Sequence, residues 1–150
     1  MSDEGMQEFI DQMDYEMSKK SFGYFFKDIL GFDLNWHHNE WKKGLDNHQY
    51  FCVKASRDHG KSVFFMSYAL WLAAFKPGIH VMIFSHSLEQ TLEHMRFIKS
   101  NIDTNNILKP LVPEGRPWAK SYFEFSNGSR IMAKSVGGAT RGFHPDVVVC

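Results

Sequence analysis

The sequence predicts an α/β fold: a mostly parallel sheet flanked by helices on both faces, with a β-hairpin insertion and a helical N-terminal lead-in. Three observations predict it. From residue 50 onward, short β-rich runs alternate with longer helix-like runs, in the order strand, loop, helix, strand, helix, hairpin, strand. The run Ala55-Ser56-Arg57-Asp58-His59-Gly60-Lys61-Ser62 lies between a β-rich run and an unbroken apolar helix-like run. The dipeptide Asn127-Gly128 separates two further β-rich runs, a strong hairpin signal of the type I′ kind.

Taken in order, the first element is a helix. Met6, Phe9, Ile10, Met13 and Met17 recur at helical spacing, with Glu8, Asp11, Asp14 and Glu16 on other faces. A second short helix is expected from Ser21 to Leu30, ending at Gly31; its aromatics Phe22, Tyr24, Phe25 and Phe26 read as core or docking surface. A third is expected over His38–Leu45. Tyr50–Ala55 reads as the first strand and Lys61–Phe75 as a mostly buried helix that Lys76-Pro77-Gly78 breaks. Ile79–Ser85 reads as a buried strand, and Leu88–Ile102 as a helix with Leu88, Leu92, Met95, Ile98 and Ile102 in register. Residues 103–118 carry three prolines and read as loop. Ser121–Ser126 and Ser129–Val136 form the hairpin, Gly137–Gly142 a flexible loop, and Asp146–Cys150 another buried strand. The domain reading is therefore a lead-in over 1–35 and an α/β domain over 36–150, with no internal repeat.

Composition bounds the rest. A chain of 150 residues, 43% hydrophobic and 23% charged, is one globular domain's worth. No apolar run approaches the ~18 residues of a membrane span, and the acidic start MSDEGMQEF lacks the basic region of a signal peptide. Cys52 and Cys150 lie in apolar runs and read as buried free thiols in a reducing compartment. Net charge is zero, but residues 1–50 hold 5 Lys+Arg against 10 Asp+Glu, and residues 51–150 hold 12 against 7. A basic half that handles polyanions beside an acidic half fits this split.

The loop Ala55–Ser62 carries the chemistry. Strand, glycine-containing turn ending in Gly-Lys-Ser, then helix is how backbone N–H groups and a helix N-terminus converge on the phosphates of a nucleoside triphosphate. Lys61 is expected at the β- and γ-phosphates and the Ser62 hydroxyl on Mg²⁺, with ATP as the ligand. The first position of the usual pattern is Gly, and here it is Ala55. Arg57 has two readings, a γ-phosphate contact or a solvated loop cation. Arg141 likewise reads as a cation supplied to the transferring phosphoryl group or as a surface residue of a glycine loop. Asp146 precedes its strand and so is a poor Mg²⁺-positioning acid; that acid is expected just past Cys150, which makes the chain read as a fragment. His37, His38 and Glu40 are the closest cluster of metal-ligand types, but they match no zinc spacing, and neither CxxC nor HExxH occurs. His59 reads as a spacer whose backbone binds. Glu40 and Trp41 either frame an adenine ring or, for Trp41, pack in the core.

SRDHGKS, with an arginine inside the phosphate loop, resembles the deviant Walker A motif of phage terminase large subunits. HHNEW resembles that family's aromatic segment, IFSHSLEQTLEHMRFIKSNI its second strand and helix, and FEFSNGSRIMAKSVGGATRGFHPDVVVC its hairpin and approach to Walker B. The likeness covers roughly residues 36–150 and implies a P-loop NTPase fold and an ATPase that drives double-stranded DNA into a capsid. It implies catalytic roles for Lys61, Arg57 and Arg141, with Arg141 acting on a neighbouring subunit's ATP. For the intact parent it implies a homo-oligomeric ring, a nuclease domain, portal and small-subunit partners, and a place in the host cytoplasm at the capsid. Missing Walker B acids imply that residues 1–150 alone hydrolyse ATP poorly. Two alternatives stay open on the residues: a helicase-like P-loop ATPase, and a naturally short nucleotide-binding scaffold.

Overall fold

The computed structural model describes residues 2–115, 119–137 and 142–150. Among these, five α-helices accompany a four-stranded, mostly parallel open sheet. Helices α1 (Asp3–Lys20), α2 (Phe22–Tyr24) and α3 (Trp36–Asn47) precede the loop, and α4 (Lys61–Phe75) follows it. Then come β1 (His80–Ser85), α5 (Leu88–Thr104), β2 (Tyr122–Glu124), β3 (Arg130–Ser135) and β4 (Val147–Val149). The strand order is β2-β3-β1-β4. β1 runs parallel to β3 and to β4, and β2 is antiparallel to β3.

The helix ends follow local chemistry. Ser2 Oγ accepts the Gly5 N–H at 3.2 Å, Asp3 and Glu4 fill the first turn of α1, and Lys19 and Lys20 the last, which complements the helix dipole. Ser21 ends α1 and caps α2, its Oγ accepting the Tyr24 N–H at 3.1 Å. The chain continues through a wide helical turn, Phe25–Ile29, and leaves through Gly31 at φ +77°. Ser87 Oγ caps α5 by accepting the Gln90 N–H at 3.2 Å.

The core gathers on one face of the sheet. Val81, Ile83, Ile131 and Ala133 meet the buried residues of α4 and α5, whereas Met82, Phe84, Met132 and Val148 alternate away and stay outside that core. Helices flank that one face among the described residues. Lead-in residues join the same core: Phe22 lies edge-on to Phe64 and Tyr68, each 5.3 Å away, and Phe26 packs on Phe64. The Trp71 indole N–H reaches the buried carbonyl of Ser18 at 2.7 Å and ties α4 to α1.

Three expectations need correction. The run Tyr50–Ala55 forms no strand, because it pairs with no ladder; a groove separates it from β4. The hairpin turn is not type I′, which requires positive φ at both Asn127 and Gly128. Only Gly128 is positive, at +83°, and the turn closes with Gly128 N–H to Phe125 O and Phe125 N–H to Ser129 O. That is a three-residue loop ending in a left-handed glycine. Asn127 is held out of the left-handed region because its amide bonds the Ala73 and Ala74 carbonyls at the end of α4. Finally, Cys52 and Cys150 are exposed free thiols, not buried ones. No helix is long and apolar enough to cross a membrane among the described residues.

Candidate functional site

Gly60 caps the N-terminus of α4 in the left-handed conformation, φ +69°, and no side chain bonds the first turn. A glycine suits this position because a Cβ would strain the left-handed backbone; His38 Nε2 would then lie 3.4 Å from it, in ordinary contact. Asp58, at φ +64°, is the one non-glycine with positive φ among the described residues. Two left-handed residues two apart fold 56–60 into a tight turn, so the loop ends with the N–H groups of the first helical turn facing outward, an arrangement suited to an anion.

Lys61 is the first residue of α4. Its ammonium turns back and donates to Ala55 O at 2.7 Å and Ser56 O at 2.5 Å. The lysine therefore bridges the two ends of its own loop. His59 Nδ1 lies 3.1 Å from both Ser56 Oγ and Arg57 O, closing the turn from the other side. Arg57 and Ser62 are exposed. Arg141 lies outside the described residues.

Lys61 and Ser62 open on a groove of about 470 Å³. Phe51, Cys52 and Val53 form one wall, and Val147–Cys150 at the C-terminal end of β4 form another. Ser85, the last residue of β1, and His86 close one end. The Ser85 hydroxyl is buried without a partner there. Among the described residues no Asp or Glu side chain lines this groove. Asp146 sits elsewhere, its Oδ2 accepting the His80 N–H at 2.8 Å at the opposite end of the strands. Among the described residues no group of three or more His, Cys, Asp or Glu could hold a metal ion. An Mg²⁺ carried by phosphate oxygens needs few protein ligands, and the exposed Ser62 hydroxyl suits it.

Sequence reasoning missed one neighbour of the loop, His38. Its ring stacks on Phe64 at 5.3 Å and 12° and stands 4.1 Å from the His37 ring, which in turn lies 5.9 Å from His59. The Asn35 N–H donates to His38 Nδ1 at 3.2 Å, so the ring proton belongs on Nε2, facing Gly60. Nε2 is buried and makes no well-formed hydrogen bond. Burial first, then the His37 charge, holds the His38 pKa below the ordinary histidine value, with the His59 and Asp33 backbones opposing in part. The ring is a neutral brace behind the loop. Its clue in sequence was Asn35 three residues ahead of it, a helix-start pattern. Trp41 is core, 9% exposed and stacked on Phe65, while Glu40 is on the surface with Lys43.

No family model matches this chain, and no curated protein matches it.

Proposed function

We propose that the chain is the ATP-binding part of a viral DNA-packaging motor of the terminase large-subunit type, coupling ATP hydrolysis to translocation of double-stranded DNA. One observation carries the nucleotide reading: Lys61 and Ser62 begin a 15-residue helix whose first turn takes no side-chain hydrogen bond from its left-handed glycine cap, and they open on a groove at the C-terminal ends of parallel strands. Ligands of open α/β sheets bind in that place. The likeness of SRDHGKS and the segments after it to terminases carries the rest of the proposal.

In this reading the phosphates lie against the N–H groups of residues 60–63. Lys61 exchanges the carbonyls of Ala55 and Ser56 for phosphate oxygens, and Ser62 Oγ holds Mg²⁺. The bound Mg²⁺ supplies charge neutralisation for the phosphates. Arg57, exposed in the loop, contacts the γ-phosphate, and Arg141 serves a neighbouring subunit.

The test is calorimetric titration of the chain with a non-hydrolysable ATP analogue and Mg²⁺. Lys61→Ala is expected to weaken binding about 10- to 100-fold, the worth of a charge-assisted contact. Equal affinity for both proteins, with circular dichroism unchanged, rejects the reading.

A further inference from the structure

Ser85 ends β1, a strand paired on both sides, to β3 and to β4. The Val136 N–H donates to the Ser85 carbonyl at 3.0 Å and holds the residue in place. Side chains alternate along a strand. Val81 and Ile83 join the core beneath α4 and α5, and Ser85 follows them on that face, at the end of β1 where the groove opens. Ser85 is 6% exposed, and its hydroxyl makes no hydrogen bond among the described residues. The Ser18 and Ser67 hydroxyls are also buried and unpartnered, but both lie in α-helices, where a rotated hydroxyl reaches the carbonyl one turn back. A strand offers Ser85 no such carbonyl, since ladder carbonyls point sideways to neighbouring strands. A buried hydroxyl that uses neither donor nor acceptor is a standing penalty unless a partner from outside the chain completes it.

We propose that the Ser85 hydroxyl binds ligand in the groove, donating to the terminal phosphate of a nucleoside triphosphate. This rests on the nucleotide reading above. The lining selects an anion: Lys61, Ser62 and Gln90 supply donors beside Ser85, and among the described residues no Asp or Glu side chain joins them. The lining also sets a direction. β1, α5 and the turn between them give it Ser85, His86, Gln90 and His94, whereas α3 and the second turn of α4 give it Leu45, Phe65 and Tyr68. A ligand with one charged end and one aromatic end fits with its phosphates toward Ser85. Rotation about χ1, between staggered positions, turns Oγ from the groove floor toward a phosphate oxygen. The phosphates nearer the nucleoside stay on the N–H groups of residues 60–63, so Ser85 tells a triphosphate from a diphosphate.

The experiment is calorimetric titration of the parent chain, Ser85→Ala and Lys61→Ala with a non-hydrolysable ATP analogue and with ADP, each with Mg²⁺. Urea melts of the three chains without ligand accompany it. Ser85→Ala is expected to bind the triphosphate analogue about tenfold more weakly, the worth of a hydrogen bond to a charged group, and to bind ADP as the parent does. Without ligand it is expected to unfold at the parent's urea midpoint or above it, because it has lost an unpaired polar group. A hydroxyl with a purely structural duty would lower that midpoint and leave the two nucleotides undistinguished. Unchanged analogue binding by Ser85→Ala, with binding by Lys61→Ala weakened, overturns the proposal and leaves the nucleotide reading standing. Equal losses for analogue and ADP, or a lowered midpoint, overturn it as well. A parent that binds neither nucleotide removes the reading and the proposal together.

Discussion

At the scale of single residues, Gly60 and His38 are coupled. Gly60 stands at φ +69° with His38 Nε2 3.4 Å from where a Cβ would be, whereas Gly31 stands at φ +77° with nothing within 4 Å. Both glycines spare the chain the left-handed penalty of about 1–2 kcal/mol, and at Gly60 a Cβ would rest in ordinary contact with His38. Gly60→Ala and Gly31→Ala are therefore expected to lower urea stability by similar amounts, about 1–2 kcal/mol each, and a much larger loss at Gly60 would show that His38 cannot give way. His38 also sets a pH dependence. Its pKa is lowered in the folded chain, and burial lowers that of His94 too. The unfolded chain thus takes up protons first as pH falls below about 6.5, so stability is full above that value and is lost as pH drops toward the folded pKa values. His38→Gln is expected to flatten this decline in thermal melts between pH 7 and 5; an unaltered slope would assign the decline elsewhere. That Lys61 opens a helix straight after a glycine turn was legible because such a start is a local pattern. His38 was not, since its place behind Gly60 arises only when α3 packs on α4.

Among the elements, α4 was legible to the residue: Val63–Phe75 is apolar but for Ser67, and the Pro77-Gly78 pair follows it. Its far end depends on a residue from another element. Asn127 gives both amide hydrogens to the Ala73 and Ala74 carbonyls, at 3.0 and 3.2 Å, and accepts the Ser129 N–H at 2.9 Å. It caps the helix and shapes the hairpin turn together. Asn127→Ala is expected to cost about 1–3 kcal/mol, the penalty of leaving part-buried groups unpaired, and to speed amide exchange at Ser129. A loss under half a kcal/mol would mean that water replaces the amide without penalty. This second duty also explains the misread turn, because local statistics for Asn-Gly do not include a helix end waiting nearby. The run Tyr50–Ala55 misleads for a related reason. Its β-rich composition is real, but a strand exists only where a neighbour completes its hydrogen bonds.

For the molecule as a whole, the alternation of helices and parallel strands was legible from residue 60 onward, while the single-sided core was not. β1 is apolar on both faces and Met82 is buried, yet only Val81 and Ile83 of its side chains join the main core among the described residues. Among the described residues no Asp or Glu side chain lines the groove beside Ser62, and Asp146 is spent on the His80 amide. Under the proposed function, the 150-residue chain is expected to bind ATP yet turn it over far more slowly than it exchanges it. Brisk steady-state hydrolysis that Lys61→Ala abolishes would refute that. The two thiols give this cavity a built-in gauge. Cys52 stands on one bank and Cys150 on the other, and both are open to solvent. Whatever settles between the banks shields both sulfurs from alkylation together, whereas a ligand held on the turn alone leaves both reacting at their free rates, so mass spectrometry of the labelled chain tells the two occupancies apart.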